Sequence, residues 1–309
     1  MRFRLDPTPA QDVALALHCA HARAVWNAAL EQRNGWRSRG TPAPRFAEQC
    51  RQLTEARAEH DWLRAGSVIV QQQALRDFDQ AMRSFFARTH RSPRWRRRGE
   101  DEGFRIVHVE PSHVRRLNGR WGRVHVPGVG GVRFRWSRDP GTPKSYRVKR
   151  DPDGRWYVAF AVEPAPIDGP GTGEIVGLDR GVAVSVMTSD GEAFHAPTLR
   201  PTEAERLRRL QRRLARARKG SNRRYRIKRA IAKLRARERD RRKDWVEQTT
   251  TDLARRYDVL QVERLRVADM TKSAAGTPSA PGRNVAAKAA LNRSILAQGW
   301  GLFLKRLED

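Results

Sequence analysis

The sequence predicts an α+β chain of more than one domain, and three observations predict it. Apolar residues recur at helical spacing over residues 11–33 and 67–87. They alternate over residues 95–165, as half-buried strands do. Two later apolar runs, each ending in a single acid, bracket a densely basic helical stretch. At 309 residues the chain has room for two or three domains, and a hydrophobic content of 39% still fills compact cores.

Met1-Arg2-Phe3-Arg4-Leu5 alternates and reads as a strand, stopped by Asp6-Pro7-Thr8-Pro9. A helix follows over Gln11–Arg33, with Leu17, Ala24 and Leu30 among its apolar positions. Pro42 and Pro44 break the next connection. A second helix covers Ser67–Ala87, where Leu75, Phe78, Met82, Phe85 and Phe86 make one core stripe rather than a ligand box. After Pro93-Arg94-Trp95-Arg96-Arg97-Arg98 the period changes to two. Phe104 and Ile106, Val124 and Val126, Val132 with Phe134 and Trp136, then Trp156, Val158, Phe160 and Val162 mark strands. Asp151-Pro152-Asp153-Gly154 is a hairpin turn signal. The expectation is a small antiparallel β-barrel or sheet, joined by the Met1–Leu5 strand, with the first helices inserted into it.

Pro164-Ala165-Pro166 and Gly169-Pro170-Gly171 read as a linker. Beyond it, Ile175–Leu178 and Ala183–Met187 flank Asp179, and Ser189-Asp190-Gly191-Glu192 turns the chain. Arg206–Lys243 holds 20 Lys or Arg against 2 acids. Leu207, Leu210 and Leu214, then Ile227, Ile231 and Leu234, give each half a narrow apolar stripe, and Gly220-Ser221-Asn222 separates the halves. This predicts a helical hairpin docked by one face and cationic on the others. An ordinary solvated helix mixes signs for pair support, and this one does not. Val259–Val262 is a further strand ending in Glu263, residues 272–288 form a loop, and one last helix runs Asn292–Leu307 with Ile295, Trp300, Phe303 and Leu307 inward.

A formal charge of +29 calls for a polyanion. Nucleic acid is the first choice, because counterion release from phosphates drives such binding; an anionic membrane surface is the rival. No run of ~20 apolar residues spans a bilayer, and no apolar core follows Met1 as in a signal peptide. Two cysteines, Cys19 and Cys50, exclude a disulfide framework and fit a reducing cytoplasm. His18-Cys19-Ala20-His21 looks like a metal cluster, but on a helix Cys19 points about 100° from the two histidines, and zinc needs a fourth ligand.

Asp179 and Glu263 carry the chemistry. Taken singly, Asp179 is a strand-end turn residue and Glu263 a surface partner of Arg264 or Arg266. Taken together beside basic helices, they read as oxygen ligands for hard divalent ions facing a polyanion. Two-metal phosphodiester cleavage needs acids that hold ions about 4 Å apart, and strands fix such geometry better than loops do.

Gly177-Leu178-Asp179-Arg180-Gly181, Val262-Glu263-Arg264-Leu265 and Leu291-Asn292-Arg293-Ser294-Ile295-Leu296-Ala297-Gln298-Gly299-Trp300-Gly301 resemble the TnpB (OrfB) proteins of insertion sequences. So do Phe3–Gln11, Gln72–Phe78 and Lys219–Arg224, so the resemblance runs the length of the chain in order. It implies a transposon-encoded, RNA-guided DNA endonuclease related to type V CRISPR effectors, in a bacterial or archaeal cytoplasm. The implied fold is a RuvC-like nuclease domain of RNase H type (α/β, mixed sheet) over 169–309, with the basic hairpin at 201–255. A wedge β-barrel would take 1–10 and 95–168, and an inserted helical recognition lobe 11–94. The implied partners are a guide RNA, target double-stranded DNA with a short adjacent motif, and a partner transposase. Arg33, Arg76 and Trp95 stand out no more than their neighbours as readers of that motif.

By that resemblance Asp179 and Glu263 are catalytic and hold Mg²⁺ or Mn²⁺. Arg212, Arg213, Arg216, Lys219, Arg223, Arg224 and Lys228 are the nucleic-acid contacts expected from the basic hairpin. The family's third carboxylate and its zinc ribbon lie farther downstream than Asp309, so no zinc is expected in this chain and cleavage is expected to be impaired. The alternative is an RNA-guided DNA binder that does not cut. A general basic RNA-binding protein, such as a ribosomal factor, leaves the two strand-end acids unexplained.

Overall fold

The computed structural model describes residues 1–35, 44–100, 102–163 and 167–308, and the chain divides into two units, 1–164 and 165–309. The expected linker at Pro164-Ala165-Pro166 lies outside the described residues.

The first unit runs β1 (Arg2–Asp6), α1 (Pro9–Gly35), α2 (Phe46–Glu59), α3 (Asp61–Arg64), α4 (Val68–Phe86), β2 (Gly103–Val107), β3 (Val114–Arg116), β4 (Trp121–Val126), β5 (Gly130–Arg135), β6 (Ser145–Arg150) and β7 (Trp156–Ala161). Its strands form one antiparallel sheet in the order β2-β6-β7-β1-β5-β4-β3. The first strand sits mid-sheet, so the helices that follow it are an insertion between neighbours of one sheet. The pairings give an ordered row with β2 and β3 at its two ends. Alternation buries Phe3 and Leu5, Val124 and Val126, Val132 and Phe134, and Tyr146 and Val148 on one face. These side chains share a single core with α1 and α4.

Two helical stripes differ from expectation. The inward face of α1 is Leu15, His18, Cys19, Ala22, Val25, Trp26 and Ala29, while Leu17 is exposed. That stripe carries two histidines and a cysteine, which blurs its hydrophobic period. On α4, Leu75 and Phe78 are buried, but Phe85 and Phe86 are exposed. Helix α2 and strand β3 match no expected element, and β6 is the upstream arm of the hairpin that turns at Asp151-Pro152-Asp153-Gly154. Their sequences mix charge and small apolar residues, and each gains its place from a neighbour: Val148 of β6, for example, pairs Val158 of β7.

The second unit runs β8 (Ile175–Asp179), β9 (Val186–Thr188), β10 (Ala193–Phe194), α5 (Pro201–Ala215), α6 (Asn222–Arg256), β11 (Val259–Val262), α7 (Val267–Met270), α8 (Val285–Gln298) and α9 (Trp300–Glu308). Its sheet has the order β10-β9-β8-β11, with β11 parallel to β8 and the rest antiparallel. A parallel neighbour needs a crossover, and α5 with α6 supplies it. Leu207, Leu210, Ile227 and Leu234 join the two helices, and Ser221 caps α6 by accepting from Arg224 N at 3.2 Å. The expected single C-terminal helix is two. Gly299 breaks it at φ +75°, a left-handed conformation that glycine adopts without steric cost. Ile295, Trp300 and Phe303 do face inward, and the Phe303 ring stacks on Trp245 of α6 at 5.9 Å. Among the described residues no helix is long and apolar enough to cross a membrane.

Candidate functional site

The pleat of β8 decides where Asp179 points. Val176 and Leu178 are buried, so Gly177 and Asp179 face outward. On β11, Leu260 and Val262 pack inward and Gln261 is exposed. The parallel register sets Gln261 beside Gly177 and Val262 beside Leu178. One step farther, Glu263 comes level with Asp179 on the same outer face. Both line an open groove of about 820 Å³ with Met187, Thr188, Ser189 and Gln261.

The two carboxylates differ in their company. Glu263 Oε1 accepts from the backbone N of Arg180 at 3.0 Å, and the Arg180 Nε lies 3.8 Å from the same oxygen. The Arg180 guanidinium also donates to the Glu263 carbonyl. This arginine is buried, with 2% of its side chain exposed. The Asp179 carboxylate accepts no hydrogen bond among the described residues. An exposed acid left unpaired in a chain of net charge +29 is open to a ligand.

The surrounding contacts hold both strand ends. Asp258, just before β11, accepts from Gly171 N at 2.9 Å and Gly173 N at 2.6 Å, and these donors keep its carboxyl below the usual range. After Asp179, the loop to β9 is pinned to the C-terminal helices. Ser185 Oγ donates to Gln298 Oε1 at 2.6 Å, Gln298 Nε2 to Val182 O at 3.1 Å, and Trp300 Nε1 to Ser185 O at 3.1 Å. Trp300 was expected inward, but the contacts that Arg180 and Gln298 make with these strand ends were missed by pattern reading. A lone arginine after an acid and a glutamine near a helix end carry no period to detect.

An implied Mg²⁺ or Mn²⁺ finds two oxygen donors here, Asp179 and the free oxygen of Glu263, both on a rigid sheet. Among the described residues no group of three or more His, Cys, Asp or Glu gathers at metal-binding spacing. The donors present therefore fit part of a hard-cation site. Cys19 is buried, which pushes its thiol up, and His18 Nε2 is engaged with Pro127 O at 2.8 Å. Burial lowers both His18 and His21.

The basic hairpin presents Arg212, Arg213, Arg216, Lys219, Arg223 and Lys228 to solvent, none of them bonded to a carboxylate among the described residues. Arg224 is different. It is half-buried, and its Nη1 donates to the carbonyls of Leu214 at 2.7 Å and Ala217 at 3.0 Å. Leu214 lies in the last turn of α5 and Ala217 just beyond it, so Arg224 ties the end of α5 to the start of α6. Glu203 at the start of α5 accepts from Arg241 of α6 at 2.6 and 3.0 Å.

Residues 158–274 match the family model of the IS605 OrfB proteins, described as "Probable transposase". Residues 1–41 match a companion model described as "Helix-turn-helix domain". In this chain residues 1–35 fold as one strand and one unbroken helix. A protein of Escherichia coli K12, "Putative RNA-guided DNA endonuclease InsQ", is 34% identical over 304 residues, covering 97% of this chain and 74% of its own length. A "Putative RNA-guided DNA endonuclease" of Streptomyces pristinaespiralis is 29% identical over 278 residues, covering 88% and 68%. A cryo-EM structure of a CRISPR-Cas12f ternary complex is similar at a TM-score of 0.39 and 12% identity, over 96% of this chain and 69% of that one.

Proposed function

Since the chain belongs to the OrfB (TnpB) family, we propose that it acts as an RNA-guided DNA endonuclease of a mobile element, with its cutting site at Asp179 and Glu263. The observation that carries this reading is the single groove that both acids line, just past the parallel β8–β11 pairing of Leu178 with Val262. The β10-β9-β8-β11 order with an α5–α6 crossover supports a RuvC-like RNase H fold for this unit. The seven-stranded sheet of the first unit takes the part of the wedge, and α1 to α4 that of the recognition lobe.

Asp179 and Glu263 would hold Mg²⁺ or Mn²⁺. A bound ion of this kind activates water and neutralises charge developing on phosphate oxygens. The Arg180 backbone N–H holds one Glu263 oxygen, and the guanidinium holds the Glu263 carbonyl, so the second carboxylate oxygen is left for the groove. The exposed arginines and lysines of α5–α6 take phosphates of a guide RNA and of target duplex, and base pairing supplies sequence choice. A short adjacent motif read by protein, and a partner transposase, complete the proposed system.

The test is cleavage of a supercoiled plasmid by the 309-residue chain with guide RNA and Mg²⁺. Nicking that disappears in Asp179→Ala supports the reading, and equal nicking by Asp179→Ala sinks it. A second reading, guided binding without cutting, draws on the donor count: two carboxylates hold a divalent ion weakly. Guide-dependent target protection with no nicking, in wild type and Asp179→Ala alike, selects it.

A further inference from the structure

A second concavity, about 630 Å³, lies wholly within the first unit, between α1, α2, α4 and the segment before β2. Six arginines and two aspartates line it. Asp77 accepts from Arg147 at 2.8 Å and lies 3.9 Å from Arg105, and Asp79 pairs with Arg83 at 2.8 Å. Among the described residues that leaves Arg76 and Arg91 with no carboxylate.

The walls are pre-organised. The Arg76 guanidinium lies 5.0 Å over the Phe46 ring, and that of Arg96 lies 3.8 Å over Trp26. Asn27 clamps the backbone of Arg96 both ways: Nδ2 donates to its carbonyl at 3.1 Å, and Oδ1 accepts from its N at 2.8 Å. Trp26 Nε1 donates to Arg94 O at 2.9 Å. Cations gathered this closely repel one another until an anion joins them. Planar guanidinium forks match phosphate oxygens better than any other side chain does. The volume suits one small ligand, whereas a duplex needs an open track. Arginine-covered aromatic faces give a flat cationic floor of the kind on which bases stack.

We propose that this pocket is a nucleotide-phosphate site, taking the phosphate of a single unstacked nucleotide, with Arg76 and Arg91 as its free forks. It is separate from the acid groove, and it rests on the nucleic-acid reading only for the source of the phosphate, a strand or a free nucleotide.

The test uses the whole 309-residue protein and two probes, adenosine 5′-monophosphate and a labelled single-stranded RNA. Arg76→Gln/Arg91→Gln replaces two exposed side chains outside every ion pair named above, and Arg91→Gln alone is the milder variant. Unchanged thermal melting certifies the fold. The double variant is expected to weaken the mononucleotide at least about tenfold, the loss of one or two charged hydrogen bonds, and Arg91→Gln less. Equal weakening of the RNA assigns the source to a strand, and weakening of the mononucleotide alone to a free nucleotide. Arg223→Gln/Lys228→Gln is the control: it lowers RNA binding but leaves the mononucleotide untouched, so a failed hairpin reading is told apart from a failed pocket. Mononucleotide affinity within twofold of wild type in the double variant overturns the proposal, as does no binding by wild type at millimolar concentration.

Discussion

Asp77 and Asp179 both stand in a strongly basic chain, yet they are treated in opposite ways. Asp77, in the first unit, accepts from Arg147 and faces Arg105, with 14% of its side chain exposed. Asp151 and Asp153, also buried, take Arg2 and Arg155. Asp179, in the second unit, is exposed and accepts nothing among the described residues. An acid that arginines surround is already satisfied and contributes to structure. An exposed acid without an arginine partner keeps its carboxylate free for a ligand in the proposed site. The difference lies in backbone placement: the pleat of β8 turns Asp179 outward, beyond reach of the one buried arginine beside it.

The largest expected effect follows directly. Asp179→Ala should lower Mn²⁺ affinity, read by the loss of free-ion EPR signal, by more than about 100-fold, since even outer partners of metal ligands cost about 10–100-fold. Asp77→Ala should leave Mn²⁺ binding alone while lowering thermal stability slightly, because it removes the carboxylate shared by two partly exposed arginines, Arg105 and Arg147. Equal responses from the two variants would erase the contrast.

Next comes Arg180. Its side chain touches Glu263 and not Asp179, so it acts through position. Arg180→Met keeps the backbone donor at 3.0 Å but removes the guanidinium. Mn²⁺ affinity should fall by about 10–100-fold, the range for an outer partner, and Arg180→Lys should recover part of it. A metal affinity indifferent to both replacements would make Arg180 merely a filler of space.

How much of this was legible in the sequence depends on whether a residue's role is periodic. Alternation exposed the strands that carry Phe104, Val124, Phe134 and Val158, and the apolar stripes exposed the two helices of the hairpin, although α6 runs on to Arg256, well past the stripe that ends at Leu234. The strand-end positions of Asp179 and Glu263 followed from the apolar runs before them. What stayed hidden has no period. The break at Gly299 is one residue in a helical pattern that continues on both sides. Helix α2 buries only Gln49 and Leu53, too few for a stripe. Arg224 reads as one more cation among 20, and only folding shows its guanidinium turned onto the carbonyls of Leu214 and Ala217.

That last point separates two kinds of arginine on one hairpin. Reversing Lys219, Arg223 and Lys228 to Glu should flatten the salt dependence of RNA binding. The slope of log affinity against log salt should shrink by about 2, near 0.7 per phosphate contact on a single strand. The helix signal in circular dichroism should persist. Arg224→Glu should instead loosen the end of α5, since it removes the guanidinium shared by the Leu214 and Ala217 carbonyls and sets an acid against them. A salt slope that survives the triple reversal removes the hairpin from the binding surface.

Glu203 gives the smallest effect and the clearest sign. Arg241 and the Arg200 N–H hold its carboxyl down from 4.5 to about 2. A depressed folded pKa means that the contact contributes fully above the ordinary value of 4.5, fades between there and 2, and is gone below. The wild-type hairpin should therefore lose amide protection at the start of α5 as pH falls through that window. Glu203→Gln should show reduced protection already at neutral pH and no matching step on acidification. The difference should shrink only in part with added salt, because Arg241 is partly exposed while Glu203 is largely covered. The carboxyl of Asp258 is also held low, so the measured quantity is the difference between wild type and Glu203→Gln. Parallel pH curves for the two proteins would mean that the Glu203–Arg241 contact does not hold α5 to α6, leaving that task to Leu207, Leu210, Ile227 and Leu234 alone.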